Sequence, residues 1–379
     1  MSDFAERTGL SNPNNPPRRY LWTDAHAVCN FLSLQRETGD AEYLALAAKL
    51  IDQVHHVLGK HRSDDTRQGW ISGLSEDDGE HHPTAGGLRI GKALNERGPD
   101  DPYDERLEWD RDGQYFHYLT KWMHALFCAG RVMQKSQYCR WALELAQVAH
   151  AGFARALWPD GRKRLVWKMS IDLSRPLVPS SGLHDPLDAY VTYTELCLCP
   201  ERADGSSEYP NLSAEIAAVA SMNRGQRWAT DDPLGIGGLL FDACRVVQLV
   251  ALGLPGNLQL AATLLGDVRS SLAAFASHNA LNQPAAYRLA FRELGLSIGL
   301  KAIEKMRRIE KSQANFLGTS ASRALEELRP YREVGERIEA FWQNPVHQQA
   351  SSWREHFDIN TVMLATSLLP SEFLSVMDA

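Results

Sequence analysis

Apolar side chains recur at helical spacing along almost the whole of this chain. From Trp22 they fall at Ala25, Val28, Cys29 and Leu32, and after the polar break ETGD a second stripe runs Tyr43, Leu46, Ala47, Leu50, Ile51, Val54 and Leu58. Residues three and four apart share a helix face, and Gly59 directly after the stripe suits a C-terminal cap, so residues 22–59 are predicted as a helical hairpin. The same rhythm predicts pairs over 113–157, on either side of QKSQ, and over 186–222, 233–277 and 285–343, with a last helix at FDINTVMLATSLL. One β-hairpin is expected around WPDGRKRLVWKM, where Pro159, Asp160 and Gly161 carry turn chemistry.

Polar residues break this pattern at one kind of place. The first helix of each pair is entered through a charged, aromatic junction: LWTDAHAV at Trp22, EWDRDGQYFHY at Trp109, GLHDPLDAYVTY at His184, TDDPLGIGGLLFD at Thr230, AYRLAFRELG at Tyr287 and SWREHFDINTV at Trp353. Their uneven spacing argues against a solenoid of fixed period. A closed ring of hairpins fits better, with the first helices as an inner barrel and their entrances at one end. Asp24, Asp112, Asp188, Asp231 and Asp358 are then expected around a single cavity, the concave site that a small polar ligand requires.

Composition narrows the partners. The chain has 379 residues, 44% hydrophobic and 23% charged, with a net charge of −7 and a pI near 6.0, which gives no general attraction to nucleic acid or anionic lipid. MSDFAERTGLSNPNNPPRRYLW lacks the apolar core of a secretory signal, and no unbroken apolar run reaches the roughly 18 residues of a membrane span. A cytoplasmic protein is expected, with neither nucleic acid nor membrane as partner. The six cysteines sit mostly in apolar helical patterns without Cys-x-x-Cys or Cys/His ligand spacing, so neither a disulfide nor a metal site is expected, and no cofactor.

With the helix-pair rhythm, ETGDAEYLALAAKLIDQV, DGQYFHYLTKWMHAL and REHFDINTVMLA, the chain resembles the six-hairpin (α/α)6-toroid superfamily of carbohydrate-active enzymes, which includes the N-acylglucosamine 2-epimerase-like proteins. The resemblance spans roughly residues 20 to 370. It implies an all-α fold, an (α/α)6-type toroid of helical hairpins with a small β-hairpin and a long loop insertion. Residues 20–379 are expected as one domain behind a disordered lead-in, residues 1–19. The implied partner is a small-molecule carbohydrate bound at the barrel mouth, and a homodimer is the assembly considered.

The candidate residues follow from two chemistries. Glycoside hydrolysis, the leading reading, needs a carboxylic acid and a second carboxylate flanking the scissile bond, and Asp110, Asp112, Asp188, Asp231 and Asp358 are the catalytic candidates, Asp112 foremost. Helix capping is the structural alternative for each. Epimerisation needs a base and an acid of tuned pKa, for which His184 and His356, each beside a carboxylate, are the candidates. Sugar binding is assigned to Trp22, Asp24, Trp109, Tyr115, His117, Tyr190, Tyr287, Arg288, Trp353 and Arg354. A noncatalytic sugar-binding or scaffold toroid is the third reading.

The insertion over 63–112 is polar, turn-rich and far longer than the usual ~4 to 6 residues, and a flap over the cavity is expected there. Within it GGLRIGKA nearly matches a phosphate-binding loop, but Ala93 stands where Ser or Thr belongs and no strand leads in. EWDRDG imitates a calcium loop, yet aligning Gly113 with the turn glycine puts Leu119 where the bidentate Glu belongs.

Overall fold

The computed structural model describes residues 1–156, 162–178, 180–199, 210–254, 258–313 and 316–376. Sixty-three per cent of the chain is helical, and the fold is all-α. Its contacts divide into two compact units, Ser2–Arg224 and Gly225–Ala379.

The N-terminal unit begins with α1 (Ser2–Arg7), not with a disordered lead-in. Phe4 and Leu10 are fully buried, and Arg18 and Arg19 donate to the carbonyls of Arg7 and Thr8, so apolar burial and backbone pairing order the Asn/Pro-rich stretch. Next come α2 (Leu21–Thr38) and α3 (Glu42–Leu58), joined through Gly39 at φ +73°, a left-handed conformation that glycine adopts without Cβ strain. α2 is buried on every face from Leu21 to Ser33, whereas α3 buries one stripe through Ala47, Leu50, Ile51, Val54 and Leu58. The first is therefore an inner helix and the second an outer one.

The insertion is folded into the unit. It holds α4 (Glu76–His81) and α5 (Glu105–Asp110), and it buries Trp70, Leu88 and Ile90. After the short strand β1 (Gln114–Tyr115) come inner α6 (Phe116–Met133) and outer α7 (Ser136–Phe153). The strands β2 (Ala154–Arg155) and β3 (Arg164–Leu165) form the expected hairpin, whose turn residues Pro159, Asp160 and Gly161 lie outside the described residues. β4 (Lys168–Met169) pairs antiparallel with β1 and with β5 (Pro176–Val178). Inner α8 (Asp185–Leu196) and outer α9 (Ser213–Met222) complete the unit, and α6 packs against both α2 and α8.

The C-terminal unit repeats the layering. Inner α10 (Pro233–Ala251) pairs with outer α11 (Leu258–Ser277), and inner α12 (Ala290–Ser312) is covered by α13 (Gly318–Leu328) and α14 (Arg332–Gln343). The short α15 (Ser351–Arg354) leads into α16 (Phe357–Leu368), which packs on α12. α10 is long and apolar enough by length and composition to cross a membrane, but Asp242 and Arg245 interrupt its apolar run and most of it is buried inside the fold.

Candidate active site

Three inner helices of the N-terminal unit turn polar stripes towards one another. On α6, His117, Lys121, His124 and Cys128 follow each other at steps of three and four and so share one face. On α8 the matching stripe is Asp185, Asp188, Thr192 and Glu195. The stripes pair rung by rung: Lys121 Nζ lies 2.8 Å from Asp188 Oδ2, and His124 Nδ1 lies 2.8 Å from Glu195 Oε1. Thr120 also donates to Asp188, and the Trp22 ring lies 4.7 Å from that of His26 on α2.

These groups are nearly all buried, and burial sets their protonation. Asp185 is pushed up to about 7 by desolvation first and by the neighbouring Asp188 charge second, with Lys121 opposing. Among the described residues nothing hydrogen-bonds its Oδ2. Burial holds His117 down at about 3, with the Lys121 charge adding to it, so this imidazole is neutral. Burial alone would lower His124, but Cys128 and Glu195 raise it; Cys128 in turn is lowered, chiefly by a hydrogen bond from Cys29 and then by His124.

Above this stripe the aromatic residues form a cleft. Trp109, Tyr115, Trp167, Tyr103, Glu105 and Glu108 border a cavity of about 250 Å³. Tyr115 stacks on Trp167 at 5.6 Å, and Trp109 meets Trp167 edge-on at 5.1 Å. His117 connects cleft and stripe: it stacks on Tyr115 at 5.6 Å and its Nδ1 accepts from Trp167 Nε1 at 3.3 Å. The insertion supplies Tyr103, Glu105, Glu108 and Trp109, so part of it does border a cavity, as an anchored wall.

The charge of EWDRDG serves that anchoring. Glu108 accepts from Lys168 Nζ at 2.9 Å and from Arg97 Nε at 3.0 Å, and Lys168 also donates to the carbonyls of Glu108 and Arg111. Asp112, the foremost catalytic candidate, is wholly buried; its Oδ2 accepts from Arg89 Nη1 at 2.5 Å and its Oδ1 from the Gly91 amide at 3.0 Å. That geometry makes it an anchor between the insertion and the entrance to α6. Asp24 is likewise buried, on Arg19 and the Tyr20 amide. Asp110 is exposed, and Tyr190 on α8 and His184 ahead of it are half-buried.

The remaining candidates belong to the C-terminal unit. Asp231 is exposed, and the α10 cap is its neighbour Asp232, which accepts from the Gly235 amide and pairs with Arg292. Tyr287 and Arg354 are exposed, and Trp353 is buried against Trp342. Arg288 is buried too, in a two-pronged pair with Glu293. His356 and Asp358 are half-buried at the start of α16, His356 edge-on to Phe291. Sequence reasoning brought Tyr115, His117 and Trp109 to the site and counted Asp185 among the carboxylates that could serve a helix start, but it passed over Trp167 and Glu195. The signal for the acids is the stripe 185, 188, 192, 195 on a helix whose other faces are apolar.

The helical layout is similar to that of several solved structures. These include the cellobiose 2-epimerase of Spirochaeta thermophila DSM 6192 (12% identity over 85% of this chain and 86% of that one, TM-score 0.45) and a sugar epimerase from a ruminal bacterium (10%, 92% and 87%, 0.47). A D-mannose isomerase is also similar (11%, 85% and 87%, 0.43). No protein-family model and no curated protein matches the chain.

Proposed function

We propose that this chain is a carbohydrate-processing enzyme whose reaction is proton transfer on a sugar, epimerisation or isomerisation, ahead of glycoside hydrolysis. The observation that carries the reading is Asp185, a buried carboxyl with no hydrogen bond to its Oδ2 among the described residues, one helical turn from the Lys121–Asp188 ion pair, where burial and the Asp188 charge raise its pKa towards neutral. Moving a proton on and off the carbon beside a carbonyl needs a group whose pKa lies near the working pH, and a cation to hold the oxyanion that forms. Asp185 meets the first need, with His184 beside it as second proton carrier. Lys121, paired with Asp188 at 2.8 Å, meets the second. Trp109, Tyr115 and Trp167 offer flat apolar faces to a sugar ring, and Glu105 accepts from hydroxyls.

Hydrolysis fits these residues less well. It needs two carboxyl groups flanking the glycosidic bond. Asp185 and Asp188 share one helix face, and Asp112 is sealed in its pair with Arg89. Incubation with reducing mono- and disaccharides in deuterated water separates the two. Epimerisation leaves carbon-bound deuterium beside the carbonyl, and both Asp185→Asn and His184→Ala are expected to cut that incorporation by at least ~100-fold. Release of a new reducing end without label would replace this reading with the hydrolytic one.

A further inference from the structure

Below the Lys121–Asp188 rung, Cys29 of α2 and His124 and Cys128 of α6 come together, and their ligand atoms all lie within 4.8 Å of one another. All three residues are buried. We propose that Cys29, His124 and Cys128 form a site for a thiophilic cation of the zinc or copper(I) class, which ties α2 to α6 deep in the N-terminal unit. This goes beyond the sugar reading and does not depend on it.

The donor set carries the chemistry. Two sulfurs and an imidazole nitrogen are soft to borderline ligands, which select zinc or copper(I) over magnesium or calcium. Bond lengths of about 2.3 Å to sulfur and 2.0–2.1 Å to nitrogen at tetrahedral angles put neighbouring ligand atoms roughly 3.5–3.8 Å apart. Cys128 Sγ and His124 Nε2 stand 3.6 Å apart. The Glu195 carboxylate accepts from Nδ1 of His124 at 2.8 Å, which fixes the ring with Nε2 facing the Cys128 sulfur, where a bound cation would take the place of the Nε2 proton. A carboxylate behind a ligating histidine is the usual second support of such sites, fixing tautomer and ring orientation.

Sequence spacing conceals this arrangement. His124 and Cys128 are one turn apart on α6, while Cys29 arrives from a helix almost a hundred residues earlier in the chain, so no compact ligand motif is written. Binding leaves both sulfurs as metal-bound thiolates and Nε2 unprotonated, and it releases the protons held by the Cys29–His124–Cys128 cluster to solvent.

The test uses the full chain, expressed in medium supplemented with zinc, with copper or with cobalt. Elemental analysis of the purified protein is expected to give about one zinc or copper per chain, and the cobalt form to show the thiolate-to-cobalt absorption band. Cys29→Ser and Cys128→Ser should each lower the bound metal at least ~10-fold, whereas Cys244→Ser, on α10, should leave it unchanged. The wild-type cobalt spectrum decides even if a variant fails to fold. Protein below ~0.1 metal per chain after all three supplements, a cobalt form without the thiolate band, or a Cys29–Cys128 disulfide found by mass spectrometry would each overturn the proposal.

Discussion

Asp112 shows how a single buried contact reassigns a residue. At its position between insertion and inner helix a catalytic acid and a structural anchor are both chemically reasonable, and its partners decide. Arg89 donates to Asp112 at 2.5 Å and also to the backbone carbonyls of Lys60 and Val57, so the pair closes the insertion onto the end of α3. Removing one charge from a buried pair leaves the other uncompensated and costs about 3–5 kcal/mol. Asp112→Asn is therefore expected to lower Tm by on the order of 10 °C. Replacing both partners, as Arg89→Met with Asp112→Leu, should recover part of that loss. Melting curves of the three variants check this; an unchanged Tm for Asp112→Asn together with lost turnover would return Asp112 to the reaction. Nothing in the sequence pointed to Arg89 as the partner of Asp112, because the insertion has no periodicity from which a partner 23 residues away can be read.

The elements were more legible than the contacts between them. The hairpin predicted over 22–59 is present as α2, buried on every face, and α3, buried along one stripe, a contrast readable without knowledge of neighbours, whereas the outer half of the pair predicted over 285–343 is split into α13 and α14. Register across helices is not written that way. His117 and Lys121 were visible as one stripe, but their pairing with α8 depends on which helix lies alongside. Glycine spacing gives a further case in α10 and α12, where a Cβ on Gly237 would stand 2.1 Å from the Gly295 carbonyl oxygen and one on Gly299 2.6 Å from Gly237 Cα. The backbones touch, so no rotamer change relieves an added methyl. Gly237→Ala and Gly299→Ala are each expected to destabilise the fold by ~1–3 kcal/mol. Gly238→Ala, one residue along on the same helix, meets nothing within 4 Å and should be neutral or stabilising by up to ~1 kcal/mol. Denaturant melts and amide exchange in α10 and α12 distinguish them; equal effects at 237 and 238 would count against this close approach.

At the scale of the whole molecule, buried titratable groups pull stability in opposite directions across the mildly acidic range. His55 and His117 are both held at about 3 by burial, against 6.5 in the unfolded chain. As pH falls below about 6.5 the unfolded chain takes up protons that the folded one does not, so these histidines cost stability progressively down to about pH 3. Asp185 works in the opposite direction. Its folded pKa near 7 lies above the unfolded 3.8, so its contribution is complete below about pH 4 and is lost as pH rises through 7, on the order of a few kcal/mol in all. The groups that set it are Asp188, which raises it, and Lys121, which opposes. Asp185→Asn removes only the alkaline loss. Its Tm is expected to match that of the wild type near pH 4, to exceed it increasingly up to about pH 7 and to keep a constant margin above that, while the carbon-deuterium incorporation assigned to Asp185 disappears. A substitution that both stabilises the protein at pH 8 and abolishes exchange would mark a carboxyl retained for its chemistry at a cost in stability. Parallel Tm curves from pH 4 to 8 would mean that Asp185 is ionised in the folded protein, and the proton-transfer reading would lose its acid.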